Sequence, residues 1–315
     1  MSVLSRPYYH NEAEAFRYLE SMLWADGIVC PHCGTVGGKV YSLENVRGSK
    51  SKKNPAGAIR HGLKECGDCH KQFTVKVGTV FEHGRIPLHK MLQAVYLLTS
   101  SKKGISSHQL SRTLEIQYKS AWFLAHRIRE AMRDGSLAPF GGDRGIVEID
   151  ETYIGRVKGE PKARGGTRHK MKVLSLVDRR TGRSRSFVVD NTKIATVLPI
   201  IRANVAQEAI CITDEAGIYT KLNKHGYDHG VVNHSADEWV RGLVHTNTIE
   251  GFFGIFKRGF KGIYQHCAEK NLHRYMAEYD FRYSNRQGNG VGDSQRAEIA
   301  LKGIVGKRIT YRWPD

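Results

Sequence analysis

Apolar residues at helical spacing mark the first element of the chain. In residues 11–25, NEAEAFRYLESMLWA, the side chains of Ala15, Tyr18, Leu19 and Met22 fall on one side of a 3.6-residue repeat, which predicts an amphipathic helix. Residues 28–83 break into short β-like runs. Helical spacing returns in 87–101, PLHKMLQAVYLLTSS, with Pro87 suited to a first turn. Two further helices are predicted at 106–112 and 117–133, about the short break LEIQ. The stretch 134–145, DGSLAPFGGDRG, is rich in turn formers and reads as a linker. Beyond it the pattern changes to strands, predicted at 146–150, 172–178, 185–190 and 209–213, with a helix at about 193–205 between the third and fourth. A helix at about 215–224, a short strand near 230–233 and a helix over 245–260 follow.

Three strands, helix, strand, helix, strand, helix is the order of a ribonuclease H-like α/β domain, a mixed sheet with flanking helices. Bulk properties narrow the class. A chain of 315 residues that is 40% hydrophobic supports two or three compact units. A net charge of +18 favours a polyanionic partner, because each Lys or Arg set against a phosphate releases a condensed counterion. No run of 18 apolar residues appears, so a membrane span is not expected. The segment MSVLSRPYYHNEAEAF lacks the apolar core of a signal peptide, which leads us to expect a cytoplasmic protein. In that reducing compartment the six cysteines are not expected to form structural disulfides.

Four of the cysteines form two C-x-x-C pairs, Cys30-Pro-His-Cys33 and Cys66-Gly-Asp-Cys69, separated by 32 residues. Four thiolates suit a tetrahedral, structural Zn²⁺ with no open position. The basic insertion at 47–60 is expected to loop out between the pairs. Gly34 and Gly67 lie where knuckle turns need permissive backbone. Four ordinary buried cysteines are the alternative, and Cys211 and Cys267 read as structural.

The run from Gly104 to Phe123 has the pattern of a helix-turn-helix. Ser106 and Ser107 are candidate N-caps, and Leu110, Leu114 and Ile116 are expected to pack against Ala121, Trp122 and Leu124. The second helix would present Gln117, Tyr118, Lys119 and Ser120 to base edges, with His126, Arg127 and Arg129 directed at phosphate. A helical hairpin without DNA contact is the alternative.

Acidic residues supply the candidate chemistry. Alternation along Ile146-Val-Glu-Ile-Asp150 sets Val147 and Ile149 on one face and Glu148 and Asp150 on the other. An acid on a core strand is costly unless it is paired or binds a cation. Asp214 ends a second such run, Ile210-Cys-Ile-Thr-Asp214. Glu250 lies on the late helix, where Asn247, Glu250, Gly254 and Lys257 share one face. The first and fourth strands of a ribonuclease H-like sheet are neighbours, so Asp150 and Asp214 are expected to meet, with Glu250 delivered by the helix. Such a set suits a pair of Mg²⁺ or Mn²⁺ ions driving in-line displacement at phosphorus. Surface carboxylates are the alternative, and Asn247 is an alternative third ligand. Glu151 and Glu215 each follow a candidate aspartate. Lys257, two turns past Glu250, would contact phosphate, as would Arg164, Arg168 and Lys170 in the glycine-rich basic segment within 156–185. His234 and His245 precede the late helix.

Cys-Pro-His-Cys-Gly, Phe73-Thr-Val75 through Gly78-Thr-Val-Phe81, Val147-Glu-Ile-Asp-Glu-Thr-Tyr153, Ile212-Thr-Asp214 and His245-Thr-Asn-Thr-Ile-Glu250 follow one another in this order. Together they resemble the zinc-ribbon transposases of bacterial insertion sequences, in the DDE superfamily, over about residues 10–290. The resemblance implies an N-terminal DNA-binding region and a ribonuclease H-like domain. It further implies cleavage at terminal inverted repeats, strand transfer into target double-stranded DNA, a homodimer or higher multimer as the working form, and a nucleoid-associated location. The catalytic residues it implies are Asp150, Asp214 and a third that is Asn or Glu, followed by Lys257. Both Asn247 and Glu250 are present; we favour Glu250, because a carboxylate holds Mg²⁺ more strongly than an amide. The expected organisation is an N-terminal helix (1–27), a zinc ribbon (28–83), a helical DNA-binding region (84–135), a catalytic domain (144–290) and a C-terminal tail (291–315). A zinc-ribbon regulator without catalysis and a ribonuclease H-like nuclease remain as alternatives.

Overall fold

Helix α1 (Glu12–Leu23) starts where the Asn11 side chain accepts a hydrogen bond from the Glu14 N–H at 3.2 Å, and it buries Ala15, Phe16 and Leu19. The computed structural model describes residues 2–37, 39–50, 52, 54–136, 138–161 and 166–309. They divide into two compact units: Met1–Ser101 with Ile105–Met132 and Asp293–Asp315, and Lys102–Gly104 with Arg133–Gly292.

In the first unit, β1 (Val40–Ser42), β2 (Lys64–Cys66) and β3 (Gln72–Phe73) form a small antiparallel sheet in that order. Helix α2 (Leu88–Ser100) follows Pro87. Its first N–H groups are capped from a distance, since the Glu12 carboxylate accepts from Leu88 N at 2.7 Å and His89 N at 3.1 Å. Helix α3 (Ser107–Leu114) is capped by Ser106, which accepts from Gln109 N at 3.1 Å, and it ends on a left-handed Glu115. Helix α4 (Tyr118–Ala131) follows at once, and Leu110 and Leu114 are buried together with Ala121 and Leu124. The helix-turn-helix pattern is therefore present as two packed helices.

The second unit carries a five-stranded sheet. Strand β4 (Ile146–Ile154) runs antiparallel to β5 (Met171–Asp178), which runs antiparallel to β6 (Ser184–Val189). Helix α5 (Ile194–Asn204) leads to β7 (Ile210–Asp214), parallel to β4, and then to β8 (Asp228–Val232), parallel to β7. The spatial order is β6-β5-β4-β7-β8. This is the ribonuclease H-like arrangement, with the first and fourth strands side by side. Helix α6 (Asn247–Gly259), a π-helical turn (Phe260–Tyr264) and α7 (Glu269–Ser284) follow. One sheet face packs Val147, Ile149, Leu174 and Leu176 against Val197 and Ile201 of α5. The other packs Ile154, Val173 and Val177 against Ile249, Phe252, Phe253 and Phe256 of α6 and Leu272, Met276 and Tyr279 of α7.

Three features differ from the sequence reading. No helix spans 215–224; the i, i+3 pair Tyr219 and Leu222 is buried through successive turns and a 3-10 turn at Asn223–His225. Helix α7 was not predicted: its polar residues dilute the apolar stripe. Residues expected as a tail contain α8 (Asp293–Lys302), whose Arg296 Nη1 donates to Thr99 O at 3.0 Å, while Val80 N donates to Ile304 O at 3.0 Å.

Candidate active site and zinc centre

The first C-x-x-C pair sits on a turn closed by Gly34 N donating to Cys30 O at 2.9 Å, and the second on a turn closed by His70 N donating to Cys66 O at 2.9 Å. Gly34 takes φ +79°, as expected of a knuckle glycine, but in the second knuckle His70 takes the left-handed position, at φ 55°. Gly67 is required for a different reason. Its backbone lies against β1, and a Cβ there would come within 2.8 Å of Lys39 O. The Sγ atoms of Cys30 and Cys69 lie 3.7 Å apart and those of Cys33 and Cys66 3.6 Å apart, and all four lie within 4.8 Å of one another. Four sulfurs about 2.3 Å from one tetrahedral centre stand about 3.8 Å apart, so the cluster fits Zn²⁺ with every position filled.

In the second unit, β4 and β7 pair with a constant offset, Ile146 with Ile210 through Glu148 with Ile212. That pairing ends there; Asp150 and Asp214 each lie two residues beyond it, close enough for the charge of Asp214 to act on Asp150. Both side chains are half-buried. The alternation expected along β4 holds: Val147 and Ile149 enter the α5 core, while Glu148 lies on the α6 face, where its Oε2 accepts from Ile249 N. Asp150 shares that face. Burial, then the negative charges of Asp214 and Glu151 and more weakly of Glu250, push the Asp150 carboxyl up to about 8. A cation at this place would reverse that shift.

Glu250 lies in the first turn of α6 and Asn247 is the first residue of that helix; both are exposed. Thr246 Oγ1 donates to Glu250 Oε1 at 2.7 Å, and His234 Nε2 stands 3.7 Å from the same oxygen. Among the described residues the carboxylates do not form a group as tight as the four cysteines. Of the two acids that follow the aspartates, Glu151 turns to the other sheet face and accepts from the Tyr219 hydroxyl at 2.7 Å. Glu215 accepts from Ser235 Oγ at 2.8 Å, Ser235 N at 3.1 Å and His234 N at 2.9 Å, which holds its carboxyl down at about 2 and ties the His234 turn to the end of β7.

Two family profiles match the chain in keeping with this geometry. One, described as an ISXO2-like transposase domain, matches residues 144–284; the other, described as a transposase zinc-ribbon domain, matches residues 10–72. The chain belongs to the zinc-ribbon insertion-sequence transposases of the DDE superfamily. A protein of transposable element ISH50 from Halobacterium salinarum is 29% identical over 270 residues, 79% of this chain and 83% of that protein. A transposase-like protein of Haemophilus influenzae is 31% identical over 105 residues, 32% of this chain and 81% of that protein. Among solved structures, a chain of the simian T-cell lymphotropic virus intasome in complex with PP2A regulatory subunit B56 gamma is 14% identical, with a TM-score of 0.28, over 54% of this chain and 63% of that one.

In this transposase Lys257 is exposed on the Glu250 side of α6, its Nζ 5.8 Å from the Phe253 ring centre. Lys119 is exposed in the first turn of α4, next to Tyr118, whose ring stacks on His108. Arg127 is half-buried with its guanidinium over Phe123, and His126 and Arg129 are buried, so the latter two are not available to phosphate. Helical phase turns them inward on the side of Ala125 and Ile128. Arg168 is 90% exposed and Lys170 half-exposed in the segment between β4 and β5; Arg164 lies outside the described residues. No helix among the described residues is long and apolar enough to cross a membrane.

The sequence reading missed a contact of consequence. Glu148 is fully buried, and Arg179, at the end of β5, closes on it from Nε at 2.5 Å. The signal was there in outline: an acid facing a core needs a partner. The sequence could not say which of 49 Lys and Arg supplies it.

Proposed function

We propose that this transposase cleaves at the terminal inverted repeats of its element and joins the freed 3′ ends to target DNA by divalent-metal-dependent phosphoryl transfer. The observation that supports this reading is the parallel pairing of β4 with β7, which ends two residues short of Asp150 and Asp214, together with the effect of the Asp214 charge on the Asp150 carboxyl. Asp150 and Asp214, with Glu250 as third ligand in preference to Asn247, would hold Mg²⁺ or Mn²⁺. A pair of such ions, when bound, activates the attacking oxygen and offsets charge on the leaving one. Water attacks a phosphodiester at the element end and leaves a 3′ hydroxyl. That hydroxyl then attacks a target phosphodiester, so one P–O bond forms as another breaks. Lys257 meets phosphate beside this site, and Arg168 and Lys170 add phosphate contacts from the same unit; in the other unit Lys119 at the start of α4 and Arg127 at its far end bind phosphate as well. The active complex is a homodimer or higher multimer.

An oligonucleotide carrying a terminal repeat with a pre-cut 3′ end, incubated with target duplex and Mg²⁺, tests the reading. The full chain is expected to give joined product. Asp150→Asn is expected to reduce joining by about 10²-fold or more while DNA binding persists. Hydrolysis without joining would make the protein a nuclease, and binding indifferent to Asp150 would make it a regulator.

A further inference from the structure

Helix α6 begins unusually. Its N-cap residue, Thr246, places no side-chain hydrogen bond on the N–H groups of the first turn. The Thr246 hydroxyl instead donates to Glu250 Oε1. The third N–H of the helix, Ile249 N, which an N-cap side chain ordinarily satisfies, donates at 2.8 Å to Glu148 Oε2 on strand β4. The cap therefore comes from a residue about a hundred positions earlier, and its charge suits the positive end of the helix.

Glu148 is itself held. Its side chain is 0% exposed, and Arg179 Nε donates to its other oxygen. The rest of the Arg179 guanidinium grips the strand of chain entering α6: Nη1 donates to Leu243 O at 2.7 Å, and Nη2 to His245 O at 2.5 Å with His245 Nδ1 at 2.9 Å. A planar fork that fixes a carboxylate and two carbonyls at once cannot be replaced by the point charge of a lysine. Glu148 and Asp150 are two residues apart on one face of one strand. The strand that carries the first aspartate therefore also fixes the helix that carries the third ligand.

We infer that Glu148 is a positioning residue, which with Arg179 locks the first turn of α6 so that Glu250 and Asn247 are held toward the Asp150–Asp214 pair. It rests on the proposed metal-dependent reaction for its functional consequence, though not for its structural one. Removing the clamp leaves every ligand in place and loosens where the third is carried.

Full-length Glu148→Gln and Arg179→Lys are to be compared with the unaltered chain. In both, amide exchange at residues 248–251 is expected to accelerate about tenfold or more, and the Mg²⁺ concentration giving half-maximal joining of the pre-cut oligonucleotide to rise about tenfold. Zinc content and affinity for the repeat DNA are expected to stay unchanged. A merely structural clamp would lower the melting temperature without moving the metal requirement, and that result overturns the inference, as does unchanged amide exchange. If Glu148→Gln fails to fold, Arg179→Lys decides by the same measurements. If the unaltered chain joins no DNA, the reaction proposed above fails by itself. The inference then stands or falls on Mn²⁺ binding to the free protein: weakened by Glu148→Gln supports it, unchanged overturns it.

Discussion

Asp150 and Asp280 are both acids driven upward by burial, to about 8 and about 7, but their neighbours differ. Around Asp150 the neighbours are Asp214, Glu151 and Glu250, so each further charge deepens the strain, and a divalent cation is the natural relief. Around Asp280 they are donors: Ser184 Oγ and Ser186 Oγ at 2.8 Å and Ser186 N at 2.9 Å, which join α7 to the edge strand β6. Because the folded Asp280 holds its proton up to about 7 while an unfolded aspartate releases it near 3.8, the folded state binds more protons between those values. Stability from this group is therefore present at low pH and lost as pH rises from about 4 to about 7. We expect Asp280→Asn to flatten the fall of melting temperature between pH 5 and pH 7, measured by thermal unfolding in matched buffers; an unaltered slope would contradict the assignment.

Helices α4 and α6 illustrate how an element divides its faces between packing and chemistry. On α6, Ile249, Phe252, Phe253 and Phe256 are buried, while Asn247, Glu250 and Lys257 remain on the outer stripe. The predicted periodicity gave this division, since three- and four-residue steps recur on one side. On α4 the same reasoning located Lys119 and Tyr118 on the open end, but it set His126 and Arg129 outside when they are buried. Charge was read as exposure, and helical phase overrode it. We expect Lys119→Ala to weaken binding of DNA evenly across sequences and to reduce the slope of log affinity against log salt by about 1, measured by titration at several ionic strengths. A loss confined to one sequence would instead make Lys119 a base reader.

At the scale of the whole molecule, residues 293–309 return to the unit that holds the cysteines and α2–α4, where Ala297, Ala300, Leu301 and Ile304 are buried. Burial of a single Leu or Ile side chain contributes about 1.5–3 kcal/mol. A chain ending at Gly292 is therefore expected to melt at a clearly lower temperature than the full chain, and equal melting temperatures would count against the packing of α8. The sequence by itself determined the elements whose signals are local. Two C-x-x-C pairs, four apolar strand runs and the apolar stripe of α6 each lie within a few residues of one another, where spacing and side-chain type suffice. It also singled out Asp150 and Asp214 as candidates, because an acid at the end of an apolar run stands out from its neighbours, although β4 continues past Asp150 to Ile154. Only the tertiary structure decided what stands beside what. The pairing of Glu148 with Arg179, the capping of α6 by a strand and of α2 by Glu12, and the return of α8 are contacts between residues far apart in the chain. Burial makes each of those partners necessary, but many residues of the right charge or shape could have filled the place, and only packing selects one.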